Sequence, residues 1–324
     1  MLSVYVPHGT TLERIVVEPG SSPPDNAVWI DMVTPTVQED RLVEQLLGIA
    51  IPTREEMQEI EVSSRLYVEN GARYMTATLM CQSDTATPKT TAVTFILSGH
   101  RLATVRYDDP RPFAIVEHRL ARTCPPKVSG ESVLMDLLDA VIDRSADILE
   151  RIGAEVDQVS HSIFEPEEEV KPPSYNDVLK TIGRKGDLTS KVRESLVSVG
   201  RLVLFLANEA DIMKWAKDTR AQLQSMQRDV ISLSDHATYL TNKITFLLDA
   251  MLGVVNLQQN NIIKIFSIAA VVFMPPTLVA SIYGMNFHKN MIELDWDYGY
   301  PFALVLIVVA AILPLVYFKW RKWL

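Results

Sequence analysis

Near the C-terminus the sequence reads IFSIAAVVFMPPTLVASIY over residues 265–283, which is 19 residues without a charge. A second uncharged stretch, PFALVLIVVAAILPLVYF, covers the 18 residues 301–318. A helix that crosses the hydrocarbon core of a bilayer needs roughly 20 predominantly apolar residues. The two stretches therefore predict two transmembrane helices, although the mean hydropathy of the whole chain is only +0.09. Two very hydrophobic core helices of a soluble protein are the alternative interpretation.

Positive charges flank this pair of stretches on one side only. Lys264 comes just before the first stretch, and the basic residues of the tail at 319–324 are Lys319, Arg321 and Lys322. The link at 284–300 has a single lysine, and its acidic residues, suited to attracting cations, are Glu293, Asp295 and Asp297. Because cytoplasmic segments carry the excess of Lys and Arg, we expect a multi-pass protein of the inner (plasma) membrane with both termini in the cytoplasm. Residues 1–7 lack the basic and apolar regions of a secretory signal.

The sequence pattern before the membrane segments changes once, from mixed β-like and helical runs to helical runs alone. Residues 1–128 alternate β-like and helical runs, which predicts a cytosolic α/β domain. The β-like runs are 28–30, 65–68, 74–79, 91–97 and 102–105, and Asn70-Gly71 and Ser98-Gly99 stand at hairpin positions. Helical runs are expected at 36–47, with Thr36 as N-cap and Glu39 completing a capping box, and at 54–60.

After this α/β domain, helical spacing dominates. It predicts long antiparallel helices over 129–218 and a stalk helix over 219–264. An acidic, proline-rich break at 165–173 separates the antiparallel helices, and we interpret it as a solvated turn rather than a cation sensor. Gly183 and Gly186 are expected to loosen the second helix, and a turn is expected near 214–219.

Composition excludes several classes of function. The formal net charge of −9 argues against nucleic acid as a partner, which would require a basic face. Cys81 and Cys124 lie too far apart for a CxxC site, and the six histidines have no ligand spacing. Because no nucleotide-binding or hydrolase motif occurs either, we expect neither an enzyme nor a prosthetic group. A membrane-anchored enzyme or scaffold is the alternative of this kind.

A stripe of small and polar residues runs from the stalk helix into the first membrane segment. Alternate steps of four and three residues give Asp249, Gly253, Asn256, Asn260, Ile263, Ser267, Ala270, Met274, Thr277, Ser281 and Gly284. Hydrocarbon does not tolerate unsatisfied polar groups, so this face must contact protein or water. Either it packs closely against other helices, or several chains surround a water-filled path with it. The second interpretation requires an oligomer, because two spans cannot enclose a pore.

Individual residues of the stripe suit different parts of such a path. Asp249, Asn256 and Asn260 at the cytosolic end suit a cation passage. Rings of Ile263 or Met274, with Phe266 beside the stripe, could close a narrow path by dewetting it. Pro275-Pro276 removes two amide donors and predicts a local bend.

The first span ends in Tyr283-Gly284-Met285-Asn286. Glycine permits a sharp exit from the helix. A ring of Asn286 amide oxygens could hydrogen-bond the water shell of a cation without formal charge, which suits Mg²⁺ because this ion releases its inner waters reluctantly.

This motif between two C-terminal spans, followed by an acidic link and a basic tail, resembles the CorA family of magnesium/cobalt transporters. The likeness also includes the Asn260-to-Lys264 stretch, Met274-Pro275 and the Lys-Trp-Leu ending, and it extends over essentially the whole chain. It implies a funnel-shaped homopentamer that conducts hydrated Mg²⁺ and Co²⁺, with Ni²⁺ as a further ion, across the lipid bilayer. It also implies closure when cytosolic Mg²⁺ occupies regulatory sites that the sequence does not locate.

The family resemblance assigns roles to residues of this chain. Gly284, Met285 and Asn286 correspond to the selectivity filter, and the inner pore positions fall on Asp249, Asn260, Ile263, Phe266, Met274 and Thr277. The sequence departs from the family pattern in the link, where Met291-Ile292-Glu293-Leu294 lacks the usual proline. It also departs at Phe266, a position that is often aliphatic.

A zinc transporter of the related branch, with or without coupling to protons, is the alternative function. That branch more often has Gly-Val-Asn and a less acidic link. Zn²⁺ prefers His and Cys ligands, and the stripe contains neither, although His288 lies beside the motif.

Overall fold

The computed structural model describes residues 1–18, 21–123, 128–164, 174–285 and 296–321. The chain divides into two compact units, Met1–Leu248 and Asp249–Leu324. The predicted break at 165–173 and residue Cys124 lie outside the described residues, whereas Cys81 is buried. The segment boundaries predicted from the sequence remain predictions, and the elements below have the bounds that the structure gives.

A seven-stranded sheet forms the centre of the first unit, with strand order β2-β1-β3-β7-β6-β5-β4. The strands are β1 (Leu2–His8), β2 (Thr11–Val16), β3 (Trp29–Val33), β4 (Leu66–Glu69), β5 (Ala72–Cys81), β6 (Lys89–Ser98) and β7 (Arg101–Arg106). Only β3 and β7 pair in parallel, and the other neighbours are antiparallel. All five predicted β-like runs are strands of this sheet.

Strands β1 and β2 were not predicted from the sequence, and burial explains why. Residues 2–6 of β1 are all buried, so the strand shows no alternation of polar and apolar residues. Strand β2 is an edge strand whose middle, Glu13-Arg14, is exposed and charged. Both strands therefore lack the pattern by which a half-buried strand is recognised.

The predicted turn and cap signals are present. Asn70 and Gly71 have φ values of 50° and 79°, the left-handed conformation that a tight hairpin between β4 and β5 requires. At helix α1 (Val37–Leu47), Thr36 Oγ1 accepts a hydrogen bond from Glu39 N, and Glu39 Oε2 accepts one from Thr36 N at 2.8 Å. The capping box predicted from the sequence is thus confirmed.

Seven further helices complete the described part of the chain. They are α2 (Arg54–Met57), α3 (Val62–Arg65), α4 (Arg111–Arg122), α5 (Gly130–Phe164), α6 (Tyr175–Ile212), α7 (Lys217–Tyr283) and α8 (Gly299–Trp320). Helix α2 is shorter than the predicted run 54–60, and α4 was not predicted. Helix α6 continues without interruption through Gly183 and Gly186, and the loosening expected there stays a prediction. Lys214, with φ 55°, lies in the turn that was expected between α6 and α7.

The sheet is covered on both faces. Val43 of α1 and Met57 of α2 lie in one apolar core with Ile30, Met32 and Val105 of the sheet. On the opposite face, Trp29 and Phe95 lie near Phe113 of α4, with ring centroids 6.3 and 6.2 Å apart. Helices α5 and α6 also contact the sheet. The first unit is thus a three-layer α/β fold.

A buried ion pair joins the two parallel strands. Arg106 Nη2 lies 2.9 Å from Asp31 Oδ2, and Thr104 Oγ1 donates to Asp31 Oδ1 at 2.7 Å. Burial alone would lower the pKa of Arg106, but the hydrogen bonds and charges of Asp31 and Asp109 outweigh it, and the pKa is raised. The Arg106 guanidinium also lies 4.6 Å from the centroid of the Phe113 ring.

Substitution Arg106→Met should destabilise the first unit by about 3–5 kcal/mol, because it leaves the Asp31 carboxylate buried without its partner. The measurement is thermal unfolding of the detergent-solubilised chain, followed by near-UV circular dichroism. Arg111→Met is the matched control, since Arg111 forms an ion pair with Asp84 in which both side chains are largely exposed, worth at most about 1 kcal/mol. Equal effects of the two substitutions would contradict the role assigned to the buried pair.

Candidate ion-conduction site

Helix α7 buries one continuous face in the first unit. The spacing alternates between three and four residues: Leu223, Met226, Val230, Ala237, Leu240, Ile244 and Leu247 are buried, and Leu233 between Val230 and Ala237 is half-buried. The same spacing continues to the buried Met251 at the start of the second unit. This spacing is the heptad pattern of a helix that packs along its length. It fixes the rotation of α7 and therefore decides which residues lie on the other side.

The predicted stripe lies on the exposed side of α7. All its residues from Asp249 to Gly284 are exposed, with Ile263 61% and Met274 67% accessible. Phe266, beside the stripe, is 71% accessible. In the isolated chain, then, no described element covers this face.

A different face of the same helix segment is partly shielded. Its positions are Ile268, Val272, Pro275, Pro276, Val279 and Tyr283. At about 100° per residue, the centre of this set lies roughly 180° around the helix from the centre of the stripe. These positions also continue the heptad phase of the buried face between Leu223 and Met251.

Helix α8 is the other helix that the structure describes in the second unit. Its own partly or fully shielded residues also fall on one face: Gly299, Ala303, Ile307, Ala310, Ala311, Pro314 and Phe318. Each of the two helices is long and apolar enough to cross a membrane, with peak mean hydropathies of 2.1 and 2.6. The small and polar stripe is the exposed side of α7, opposite the partly shielded side, and is free for another molecule or for water.

The exposed face extends beyond the predicted stripe toward the N-terminal end of α7. The same steps continue backwards through Phe246, Asn242, Tyr239, Asp235, Ser232, Arg228, Ser225, Ala221 and Asp218, all of which are exposed. This face of α7 is therefore open from Asp218 to Gly284. The three-and-four spacing of these residues is visible in the sequence. It does not single out one face there, because the residues of α7 before Asp249 are polar on several faces of the helix.

Helix α7 stays helical through Pro275 and Pro276. The Thr277 hydroxyl donates to the carbonyl oxygen of Phe273 at 2.7 Å, so its proton is used within the helix. The lone pairs of the Thr277 oxygen remain directed away from that bond and can accept from water. The predicted local bend at the prolines remains a prediction.

The helix ends at the predicted motif. Gly284 N donates to the carbonyl oxygen of Ala280 at 2.9 Å, and a Cβ at Gly284 would lie only 3.1 Å from that same oxygen. A residue with a side chain would crowd this exit, which explains the glycine. Met285 follows and is exposed. Asn286, the remaining residue of the motif, lies outside the described residues.

The flanking charges that bear on topology are only partly described. Asp297, Lys319 and Arg321 are exposed, while Glu293, Asp295, Lys322 and His288 fall outside the described residues.

No regulatory cation site emerges from the part of the chain that the structure describes. Its His, Cys, Asp and Glu residues form no group of three or more that could hold a metal ion. Burial raises the pKa of Asp136 and of Asp139 on α5, and Arg119 lies 2.8 Å from Asp136. The raised pKa values of Asp136 and Asp139 are therefore explained by burial and ion pairing within one chain.

Comparison with known proteins identifies relatives over the whole length. A model of the family described as "CorA-like Mg2+ transporter protein" matches residues 24–321. The magnesium transport protein CorA of Escherichia coli (strain K12) is 34% identical over 324 residues, which is all of both chains.

Two solved structures share the fold. The CorA magnesium transporter of Methanocaldococcus jannaschii has a TM-score of 0.75 at 16% identity, covering 100% of this chain and 99% of that one. The ZntB cytoplasmic domain of Vibrio parahaemolyticus has a TM-score of 0.57 at 9% identity, covering 78% of this chain and 97% of that one. The predicted fold, a cytosolic-type α/β domain followed by long helices and two C-terminal apolar helices, is confirmed.

Cysteines placed on the stripe should react with a water-soluble, positively charged thiosulfonate reagent, whereas cysteines on the shielded face should not. Suitable pairs are Ser267→Cys and Ser281→Cys against Val272→Cys and Val279→Cys, in a background with Cys81 and Cys124 replaced by alanine. The reason is that thiosulfonates modify thiolates in water much faster than thiols in apolar surroundings. The measurement is the modified fraction by mass spectrometry in proteoliposomes. Equal modification on both faces would contradict the assignment of the wet face.

Proposed function

Since the chain belongs to the CorA-like Mg²⁺ transporter family, we propose that it forms a channel through which hydrated Mg²⁺ passes across the membrane. The observation that supports this proposal best is the open face of α7, which keeps its small and polar residues uncovered opposite the partly shielded side of the helix. A polar face in hydrocarbon requires protein or water beside it. Copies of α7 around a common axis would supply both the neighbouring protein and the water-filled path.

The proposed assembly is a homopentamer. Two membrane helices in one chain cannot enclose a path, so several chains are needed, and the number five comes from the family resemblance. Closed cyclic symmetry would put the same α7 face of each protomer toward the axis. The lipid bilayer then contacts the apolar sides of α7 and α8.

The proposed topology puts both termini in the cytoplasm and the link between α7 and α8 outside the inner membrane. Lys264 before the first span and the basic tail with Lys319 and Arg321 support it, because basic residues collect on the cytoplasmic side. With this orientation the Tyr-Gly-Met-Asn motif lies at the outer end of the path. The acidic side chains of the link then raise the local concentration of cations there.

The proposed filter is the ring of Asn286 side chains, with Gly284 and Met285 before it. Amide oxygens accept hydrogen bonds from the waters around Mg²⁺ without removing those waters. Co²⁺ and Ni²⁺ also carry ordered water shells, and we propose that they pass as well. Neutral dipoles hold the ion less tightly than carboxylates, which favours release.

The proposed gate lies deeper, at the exposed apolar residues of the stripe. Ile263 and Met274 lie on the open face, and Phe266 lies beside it. Rings of such side chains empty a narrow path of water when they approach each other. We propose that cytosolic Mg²⁺ favours this closed state, through carboxylates that act between protomers.

The zinc alternative shares the fold and differs in the ion. The likeness to the ZntB domain concerns the fold alone, because the identity is 9%. The open face of α7 offers no His or Cys to Zn²⁺ between Asp249 and Gly284, whereas oxygen and amide groups suit Mg²⁺. Magnesium is therefore the favoured ion.

Substitution Asn286→Ala should lower Mg²⁺ uptake into proteoliposomes at least tenfold, because the ring of amide acceptors is lost; tenfold corresponds to about 1.4 kcal/mol. A magnesium-sensitive dye inside the vesicles reports the flux. Asn261→Ala is the matched control, since Asn261 lies one residue off the stripe, and its flux should stay within about twofold of the parent chain.

The same vesicles separate the two ions. We expect Mg²⁺ uptake without a pH gradient and slower Zn²⁺ uptake. Unchanged flux in the Asn286→Ala protein would disprove the filter. Zn²⁺ uptake that exceeds Mg²⁺ uptake and requires a pH gradient would establish the alternative.

A further inference from the structure

The first unit contains a basic groove that ion conduction does not use. Two adjoining cavities, of about 260 and 510 Å³, share Arg65, Thr78 and Glu194 in their walls. One lies between the α2–α3 segment and strands β5 and β6, and the other extends along α6. We call the two together the arginine groove. The charged residues of its walls are Arg54, Arg65, Arg193, Arg201, Asp108 and Glu194.

The arginine groove carries an excess of positive charge in an acidic protein. Four guanidinium groups face two carboxylates, which leaves a net charge of +2, while the whole chain has −9. Asp108 is already engaged, since Lys89 Nζ lies 2.5 Å from its Oδ1. Among the described residues, none of the four arginines takes part in an ion pair. Glu194 is therefore the one carboxylate in the walls of the groove that remains to balance the charge of the four arginines.

Arg65 lies at the junction of the two cavities and is the most constrained of the four. Its Nη1 donates to Thr78 Oγ1 at 3.0 Å, and its Nε donates to the carbonyl oxygen of Glu59. Burial lowers the pKa of Arg65; the charge of Glu194 raises it, and the charge of Arg201 lowers it. Two guanidinium groups thus repel each other in a partly desolvated place, and a bound anion would relieve that repulsion.

Neutral donors complete the walls. Ser198 Oγ accepts from Thr78 N at 2.9 Å, which leaves the Ser198 hydroxyl proton available to a ligand. Thr90, Thr91 and Ser190 add further hydroxyl groups. Arg54 lies with its guanidinium carbon 5.0 Å from the centroid of the Tyr107 ring, which leaves its N–H groups free at the edge.

We propose that the arginine groove binds a small molecule with two or three linked phosphates. Guanidinium groups pair with phosphate oxygens through two parallel hydrogen bonds. The excess of guanidinium groups matches a ligand with several negative charges better than a single carboxylate. The volumes suit a small molecule, and the two cavities in sequence suit a chain of phosphates. Inorganic oligophosphate and nucleoside triphosphate share this chemistry.

The test is calorimetric titration of the full-length chain in detergent, in magnesium-free buffer, with tripolyphosphate, ATP and adenosine as separate ligands. We expect saturable binding of tripolyphosphate and ATP and none of adenosine, with affinity that falls as salt is raised. ATP that binds more tightly than tripolyphosphate identifies a nucleotide site, and equal affinities identify recognition of the phosphates alone. Absence of saturable phosphate binding at low salt, or equal binding of adenosine, would overturn the proposal.

Variants assign the binding to the groove. The double substitution Arg193→Gln and Arg201→Gln should weaken tripolyphosphate binding at least tenfold. Both residues are exposed, so the thermal midpoint without ligand should not change. Arg184→Gln is the matched control, because Arg184 is an exposed arginine of the same helix on roughly the opposite side from Arg193. Equal losses in the control and the double variant would show nonspecific charge attraction and overturn the proposal.

Discussion

The cost of placing a polar group in hydrocarbon is the constraint on which this molecule depends. Asn260, Ser267, Thr277 and Ser281 follow one another along a single face of α7, in or next to a segment that is otherwise strongly apolar. Within one chain nothing described covers that face, whereas the opposite face is partly shielded. The uncovered face therefore requires either another protein surface or water. In the proposed assembly, a ring of identical helices would provide both at once.

Helix α7 keeps the same heptad phase in its buried residues in the first unit and in its partly shielded residues in the second. In the first unit, a seam that includes Leu223, Leu240 and Leu247 is buried, and in the second unit the partly shielded residues, such as Val272 and Val279, continue that phase. The opposite face is open from Asp218 to Gly284. In the proposed channel, the ion would contact only residues of this open face.

The sequence predicted those features that depend on local chemistry or on one helix. The two long apolar helices follow from uncharged length, and the capping box follows from Thr36 and Glu39. The family membership and the expectation of a transport protein rather than an enzyme are confirmed, whereas the role of the stripe in conduction stays a prediction. Strand β1 was missed because both its faces are buried, and β2 because its exposed edge is charged. The arginine groove could not be predicted, since Arg54 and Arg65 meet Arg193 and Arg201 only through the tertiary fold. The role of Asn286 rests on the motif and the family.

The most direct test of the central claim measures distances between protomers on the two faces of α7. A spin label at Asn256 or Ser267 of the reconstituted protein, measured by pulsed electron paramagnetic resonance, should give short distances between protomers. The distances should fall into two sets whose ratio is about 1.6, the diagonal and side of a regular pentagon, as cyclic symmetry with five protomers requires. A label at Val272 should give clearly longer distances. Longer distances from the stripe than from Val272 would mean that the polar face points away from the axis, and the account of conduction along α7 would be wrong.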